Sequence, residues 1–389
     1  MKIMWVEYKQ DISDELDRTT WIEMMKEILI LNHDIKLILP SYGKRDKFGL
    51  GDNIVYLSTI KGKLTQSILF SINLFFYSVK CILTEKPDVV LFGFLGFFPL
   101  FPFIVFSKIG LIKTKFVLDI RAVPADFKTI VDRVKDYIYA KVIYFSKFFI
   151  NGITVISSGM KKQISDDFKI KPSIIGIWSS GVSKCFLDFD EIDKIVFHEL
   201  DNKQFVIMYH GIITSKRGLQ ETLNAIKIVK NQIPGIIFFI LGDGIFKPEL
   251  QKLIKNNELE QNIILHSPVK YELVPQFVAK CDVGILPFPD ISWWNTSSPL
   301  KLFEYLACGK PVIVTNIEAH REVLNNSPSC FFIDSNDPAA LAEGIIKAYK
   351  NKNQLKKMGI EGQNMVKSKY TWKMQAEKLI NYFEKLKFE

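Results

Sequence analysis

The chain has 389 residues, 48% apolar and 24% charged, and Lys plus Arg exceed Asp plus Glu by 51 − 42, a formal charge of +9. At roughly 150 residues per domain, this length predicts two or three domains, each able to bury its own core. The balance excludes a disordered chain, a collagen-like repeat and a polytopic membrane protein.

Five cysteines stand at 81, 185, 281, 308 and 330, without a Cys-x-x-Cys spacing or an adjacent histidine. That argues against a disulfide framework and against a zinc site. The five histidines are scattered singly, as structural histidines are. The N-terminus, MKIMWVEYKQD, offers no apolar run for a signal peptide, and a cytoplasmic, reducing compartment is expected. The positive excess predicts an anionic partner, either a phosphorylated substrate or an acidic membrane surface. No zinc-finger, RNA-recognition or basic-zipper pattern is present, so nucleic acid is not expected.

In chain order the predicted elements alternate. Lys2–Val6 reads as a strand, Thr20–Leu31 as a helix with Trp21, Met24, Met25 and Ile28 on one face, and Asp34–Leu39 as a strand stopped by Pro40. Strand Asn53–Leu57, helix Ser67–Leu83, strand Asp88–Phe92, helix Pro99–Lys108 and strand Lys115–Asp119 follow. Val89–Ser107 carries no charge and has the length of a membrane span, but Gly93, Gly96, Pro99 and Pro102 interrupt it, which favours a buried strand and a helix. Helix Lys128–Phe149, strand Gly152–Ile156 and helix Met160–Phe168 close the first half. Asp188–Lys203 is charged and irregular, as a hinge would be.

The alternation then restarts. It runs through strand Phe205–Tyr209, helix Gly218–Asn231, strand Ile236–Leu241, helix Pro248–Asn256, strand Asn262–Leu265 and helix Leu273–Cys281. Strand Val283–Pro287, helix Pro299–Cys308 and strand Pro311–Val314 come next, and Thr371–Phe388 is a helical tail. The expectation is an α/β chain of two Rossmann-like, doubly wound parallel-sheet domains facing a central cleft. The predicted domains are 1–190, 204–368, and a C-terminal helix 369–389 packing back on the first.

Three segments carry chemistry. In Thr296–Val314, TSSPLKLFEYLACGKPVIV, Ser298 is the expected N-cap and Pro299 the first helical residue. The helix start offers unpaired N–H groups and a positive dipole end, an anion site. Lys301 sits in that first turn and opposes the dipole unless an anion is near. Glu304, one turn deeper, can accept from a sugar diol; the alternative is a surface glutamate on an amphipathic helix. In YHGIITSKRG, Tyr209–Gly218, Gly211 admits close backbone approach, and Lys216 with Arg217 put two cations at a helix start, where a phosphate would relieve them. The alternative is a solvated basic turn. LGDG, Leu241–Gly244, permits a tight turn at Gly242, and no G-x-G-x-x-G follows the first strand, which speaks against a nicotinamide dehydrogenase.

Together these segments resemble the nucleotide-sugar-binding half of GT-B glycosyltransferases of the retaining group-1 (family 4) type. The likeness runs through HGIITSKRGLQETLNAI, FFILGDGIFKPEL, IILHSPVKYELVPQFVAKCDVGILPF and SSPLKLFEYLACGKPVIVTNIEAHREVL, and more loosely through PDVVLFG, KFVLDIR, GITVISSGM and WSSGVSKCF of the first half. It implies that Glu304 holds the nucleotide ribose, that Ser297, Ser298, Pro299, Leu300 and Lys301 cradle the diphosphate and sugar, and that Arg217 binds phosphate. Ser267–Val269 would flank the base, with Val269 at the donor. Arg217 and Glu304 are the residues to which the transfer itself is assigned. The family's first glutamate falls on Thr296, its arginine after the first glycine motif on Ile212, where Lys216 can substitute, and its first-domain histidine on Arg121, on the acceptor side. The glycine-rich loop expected after the first strand reads QDISDELDRTT instead.

The resemblance implies sugar transfer, with retention, from a nucleoside diphosphate sugar to an acceptor hydroxyl, in polysaccharide or glycolipid assembly. No metal cofactor is expected, because the cations and helix-start amides of these segments can hold the diphosphate without one. The acceptor is expected to be a glycan or lipid-linked sugar. Helix Lys128–Phe149 mixes Lys128, Arg133, Lys135, Lys141 and Lys147 with aromatic residues, so peripheral binding to the inner face of the cell membrane is expected; the alternative is a core helix with a charged outer face. Two other readings stay open: a catalytically silent homologue acting as a binding subunit, and a nucleotide-sugar epimerase.

Overall fold

The computed structural model describes residues 1–8, 15–41, 50–60, 62–122, 130–188 and 204–388. The chain divides into two units, Met1–Ser180 with Trp372–Glu389, and Gly181–Thr371. The expected hinge lies outside the described residues from 189 to 203, as do 10–14 of the first loop and Lys128.

The first unit runs β1 (Lys2–Val6), α1 (Glu15–Ile30), β2 (Asp34–Ser41), β3 (Ile54–Ser58), α2 (Lys63–Thr84) and β4 (Val89–Phe92). It continues through α3 (Phe97–Lys108), β5 (Lys115–Ile120), α4 (Ile130–Phe149), β6 (Gly152–Val155), α5 (Ser158–Phe168) and β7 (Ile175–Ile177). Its seven strands, ordered β3-β2-β1-β4-β5-β6-β7, pair in parallel. The interior strands are short apolar runs such as VVLF and GITV, as a sheet covered on both faces demands.

The second unit runs β8 (Phe205–His210), α6 (Leu219–Val229), β9 (Ile236–Leu241), α7 (Lys247–Asn256), β10 (Ile263–His266), α8 (Val274–Lys280) and β11 (Val283–Leu286). Then come α9 (Ser292–Asn295), α10 (Leu300–Ala307), β12 (Val312–Thr315), α11 (Glu318–Leu324), β13 (Cys330–Ile333), α12 (Pro338–Lys350) and α13 (Leu355–Lys369). The order β10-β9-β8-β11-β12-β13 repeats the doubly wound pattern, so strand order reverses between β8 and β11. In such sheets the carboxyl ends beside that reversal form the ligand crevice. The chain ends in α14 (Trp372–Phe388), which packs on α1 and β7 of the first unit.

Several expectations need correction. Pro40 does not stop the second strand, which runs to Ser41. The β1 partner ends at Val6 opposite Ile38, so at position 40 no neighbour on that side needs the missing N–H. Helix α3 begins at Phe97, with Pro102 inside it, rather than at Pro99. Strands β7 and β13 and helices α11 to α13 lie outside the predicted set. The two strands are only three and four residues long, too short for a periodicity to register. Helix α12 did carry a start signal: Asp337 accepts from Ala339 and Ala340 N–H, and Pro338 follows.

Candidate donor-binding site in the second unit

Strand β8 ends at His210 and hands the chain to Gly211 at φ +113, a conformation that suits glycine. A Cβ there would meet Lys301 Cε at 2.5 Å and Nζ at 2.7 Å, so the lysine head lies directly against the glycine. The Gly211 amide donates to Leu241 at 2.8 Å, and the Gly242 amide to His266 at 3.0 Å, which tethers the loops after β8, β9 and β10. A side chain on Gly242 would collide with the Gly211 carbonyl. This ridge of close backbone stands at the carboxyl end of β8, beside the strand-order reversal.

Helix α10 supplies the charged partners. Its N-cap is Pro299, with no side-chain cap bond, which corrects the assignment to Ser298. Pro299 adopts an extended ψ of 102°, so the helix starts one residue later than expected. Lys301 and Glu304 are both buried, so the reading of Glu304 as a surface residue does not hold. The Tyr271 hydroxyl donates to Glu304 Oε1 at 2.8 Å. Glu304 Oε2 stands 3.4 Å from His210 Nε2, and neither atom has a hydrogen-bond partner. Burial, with Lys301 nearby, holds the His210 ring well below its ordinary pKa, so it is neutral and this contact is no ion pair.

Lys301 and Glu304 push each other in opposite senses. Burial and the Arg217 charge lower Lys301, while Glu304 raises it. Burial raises Glu304, opposed by Lys301 and by the Tyr271 bond. An anion placed beside Lys301 and Arg217 would relieve their repulsion.

Arg217 is held by an aromatic wall. Its guanidinium lies 5.2 Å from the Trp294 ring centre and 5.9 Å from that of Phe288. Trp294 stacks on Phe288 at 3.9 Å and on Trp293 at 4.8 Å. Trp294 Nε1 donates to the Lys216 carbonyl at 3.1 Å, fixing the basic turn, and Lys216 Nζ lies 5.8 Å from the Trp293 ring centre.

The structure thus brings Gly211, Lys216, Arg217, Gly242, Lys301 and Glu304 into one region of the second unit. Ser297 Oγ donates to Trp294 at 2.8 Å, and the Thr296 hydroxyl donates to Ser292 at 3.2 Å within its own turn. Val269 is half-buried against the second core, while Ser267 and Ile212 are exposed. Arg121 lies in the first unit, at the carboxyl end of β5. Its guanidinium sits 3.6 Å from the Trp178 ring centre and donates to the Trp178 carbonyl at 3.0 Å, beside the buried Asp119. Among the described residues no group of three or more His, Cys, Asp or Glu could hold a metal.

Sequence reasoning missed His210, Tyr271 and the aromatic wall. His210 sits inside the quoted YHGIITSKRG, next to the glycine, and that adjacency was the available signal. Tyr271 had none, because the turn after β10 reaches α10 only through the order of the sheet.

Residues 190–365 match the family described as glycosyl transferases group 1. An uncharacterized glycosyltransferase of Methanocaldococcus jannaschii is 24% identical over 60% of this chain and 58% of its own. The capsular polysaccharide biosynthesis glycosyltransferase CapM of Staphylococcus aureus is 25% identical over 60% of this chain and 61% of its own. The chain therefore spans about three fifths of the length of the curated relatives it matches. The crystal structure of HepE from Anabaena, in complex with UDP, superposes with a TM-score of 0.74 over 99% of this chain and 100% of that one, at 13% identity. That likeness shows the fold, a GT-B arrangement of two Rossmann-like units.

Proposed function

We propose, on the premise that residues 190–365 belong to the group 1 glycosyl transferases, that the protein moves a sugar from a nucleoside diphosphate sugar to an acceptor hydroxyl. The acceptor is a growing glycan or lipid-linked sugar of polysaccharide assembly, the setting named for CapM. The sugar is transferred with retention. A uridine nucleotide is the first donor to try, since HepE was solved with UDP.

In this reading the donor lies along the carboxyl ends of β8 and β9. As the anomeric C–O bond breaks, negative charge collects on the leaving diphosphate. The Arg217 guanidinium, the Lys301 ammonium and the amides at the start of α10 receive that charge, with Lys216 at the margin. Preorganised donors of this kind are each worth about 3 kcal/mol at the transition state. The acceptor hydroxyl gives its proton to a departing phosphate oxygen. Glu304 Oε2, buried without a partner, accepts from a ribose hydroxyl. Val269 borders the base, Ser297 to Leu300 line the diphosphate, and Arg121 serves the acceptor side.

The observation that carries this reading is the Lys301 head pressed against Gly211, repelled by Arg217 and one turn from an orphaned carboxylate oxygen. A buried lysine and a half-buried arginine beside a glycine ridge suit a diphosphate. The test is release of nucleoside diphosphate from a panel of uridine and guanosine diphosphate sugars. Slow hydrolysis of one donor, quickened by an acceptor extract, supports the reading; conversion to an isomeric sugar nucleotide would make the protein an epimerase.

A second reading has one observation in its favour. The Thr296 hydroxyl is bonded to backbone carbonyls of its own turn, where the family places a glutamate for the donor sugar. Binding of a donor with no turnover under any acceptor condition would make the protein a binding subunit.

A further inference from the structure

The first unit carries a basic cavity that the transfer reading does not use. It encloses about 470 Å³ and is lined by Lys108, Lys115, Lys147, Lys169 and Lys171, with no Asp or Glu in its wall. It lies where α3 and α4 end, where β5 begins and just beyond α5, at the amino edge of the first sheet. Arg121 is at the other end of the six-residue strand β5, about 20 Å away. Five like charges around one hollow repel one another, and a bound anion removes that repulsion. Among the described residues none of the five is ion-paired with a carboxylate. Lysines near helix C-termini complement the helix dipole, which accounts for Lys108 and Lys147 but not for Lys115 at a strand start.

The cavity borders an apolar surface. Phe148 lines it and also belongs to an exposed cluster with Tyr144 and Phe145, the Tyr144 ring lying 6.0 Å from Phe148 and 5.5 Å from Phe145. Lys147 Nζ lies 3.9 Å from the Tyr144 ring centre. Phe106, Ile109 and Leu111 are exposed around the end of α3, beside Lys108. Right-handed crossovers from β3 through β7 place α2, α3, α4 and α5 on one face of the sheet, and α1 on the other. On that face α2 exposes Leu64, Ile68, Ile72 and Phe76 at a spacing of four. Its Leu64–Thr84 stretch is long and apolar enough to cross a membrane by length and composition, yet it packs on α3 and β3.

We propose that this face of the first unit rests on an anionic lipid bilayer, with the exposed aromatic residues of α3 and α4 in the interface and a lipid phosphate in the five-lysine cavity. Charge complementarity selects this occupant: aromatic bodies fringed by lysines match an acidic headgroup layer over acyl chains. The assignment is independent of the transfer reading, since none of these residues belongs to the donor site.

The test is co-sedimentation of the full chain with phosphatidylcholine vesicles, with and without phosphatidylglycerol. Binding is expected only to the vesicles that contain phosphatidylglycerol. Replacing Lys115, Lys147 and Lys169 together by Gln should weaken it about 100-fold, at about fivefold per lysine. Replacing Lys227, Lys252 and Lys255 of the second unit by Gln removes the same net charge and should leave binding near wild type. The Arg version of the first triple variant should keep binding, which separates charge from folding. Equal binding to both vesicle types, or equal loss in both Gln variants, overturns the proposal. So does a first triple variant that melts earlier but binds vesicles as before, which would make the lysines structural only. Saturable binding of glycerol phosphate that vesicles do not compete with would assign the cavity to a soluble anion and also overturn it.

Discussion

The Tyr271 hydroxyl donates to Oε1 of Glu304 across 2.8 Å and so ties the turn after β10 to helix α10. With that oxygen engaged, only Oε2 is left to meet a ligand. Tyr271→Phe removes the single donor from a buried carboxyl group, a change of about 1–3 kcal/mol. Affinity for the nucleotide should fall about tenfold by calorimetric titration with UDP, and a double-mutant cycle with Glu304→Gln should show strong coupling. Independent, additive losses would mean that Tyr271 supports the fold and not the carboxylate.

Gly211→Ala places a methyl group where Lys301 Cε and Nζ now lie, in a backbone conformation that alanine rarely adopts. The strain costs on the order of 1–3 kcal/mol. Thermal unfolding should report that loss, and UDP binding should fall further than stability alone explains because Lys301 is displaced. Normal UDP affinity in a destabilised variant would remove Lys301 from the nucleotide site.

Nucleotide binding should depend on pH with a definite sign. Burial and Arg217 hold Lys301 below the usual lysine range, so free protein loses this proton earlier than a surface lysine does. A bound diphosphate favours the charged amine and raises its pKa, so the added affinity is present at low pH and lost as pH rises. Ionisation of Glu304, raised by burial, adds a negative charge over the same rise and acts in the same direction. Affinity for UDP should therefore fall as pH rises from neutrality, well below the ordinary lysine value of about 10.4. Titrations in buffers of different ionisation enthalpy should show proton uptake, and Lys301→Met should reduce it; a rising affinity would contradict the assignment.

Stability should fall in acid through a different histidine. His320 is fully buried, its Nδ1 donates to the Thr315 carbonyl at 2.8 Å, and burial pushes its pKa down to about 4. Unfolded, the ring titrates near 6.5. Below that value the unfolded chain takes up a proton that the folded chain refuses, so stability is full above about 6.5 and is lost as pH falls toward 4. The loss amounts to about 3 kcal/mol by about pH 4. Denaturant unfolding across that range should show a gentler slope in His320→Gln than in the wild type; identical slopes would locate the acid sensitivity elsewhere.

The periodic pattern of the chain makes the two parallel sheets legible, because most of the buried strands are apolar runs beside glycine- or proline-marked turns. The segments YHGIITSKRG and SSPLKLFEYLACGKP also announce a glycine ridge, two cations and a helix with a carboxylate one turn in. What they hide is assembly. Tyr271 reaches Glu304 across the strand order β10-β9-β8-β11, and nothing in local spacing encodes that order. The start of α10 was misplaced by one residue because Pro299, a good first helical residue, here takes the cap. Helix α2 is apolar along most of its length, and only its packing shows that the stripe from Leu64 to Phe76 faces outward.

The account stands most directly on calorimetric titration of UDP, and then GDP, into the wild type and Arg217→Met. Micromolar or tighter binding of one nucleoside diphosphate to the wild type is expected, with a loss of at least about tenfold in the variant, whose aromatic wall remains to be filled by methionine. Failure of both nucleotides to bind the wild type, or equal affinity in the variant, would contradict a diphosphate site at Gly211, Arg217 and Lys301.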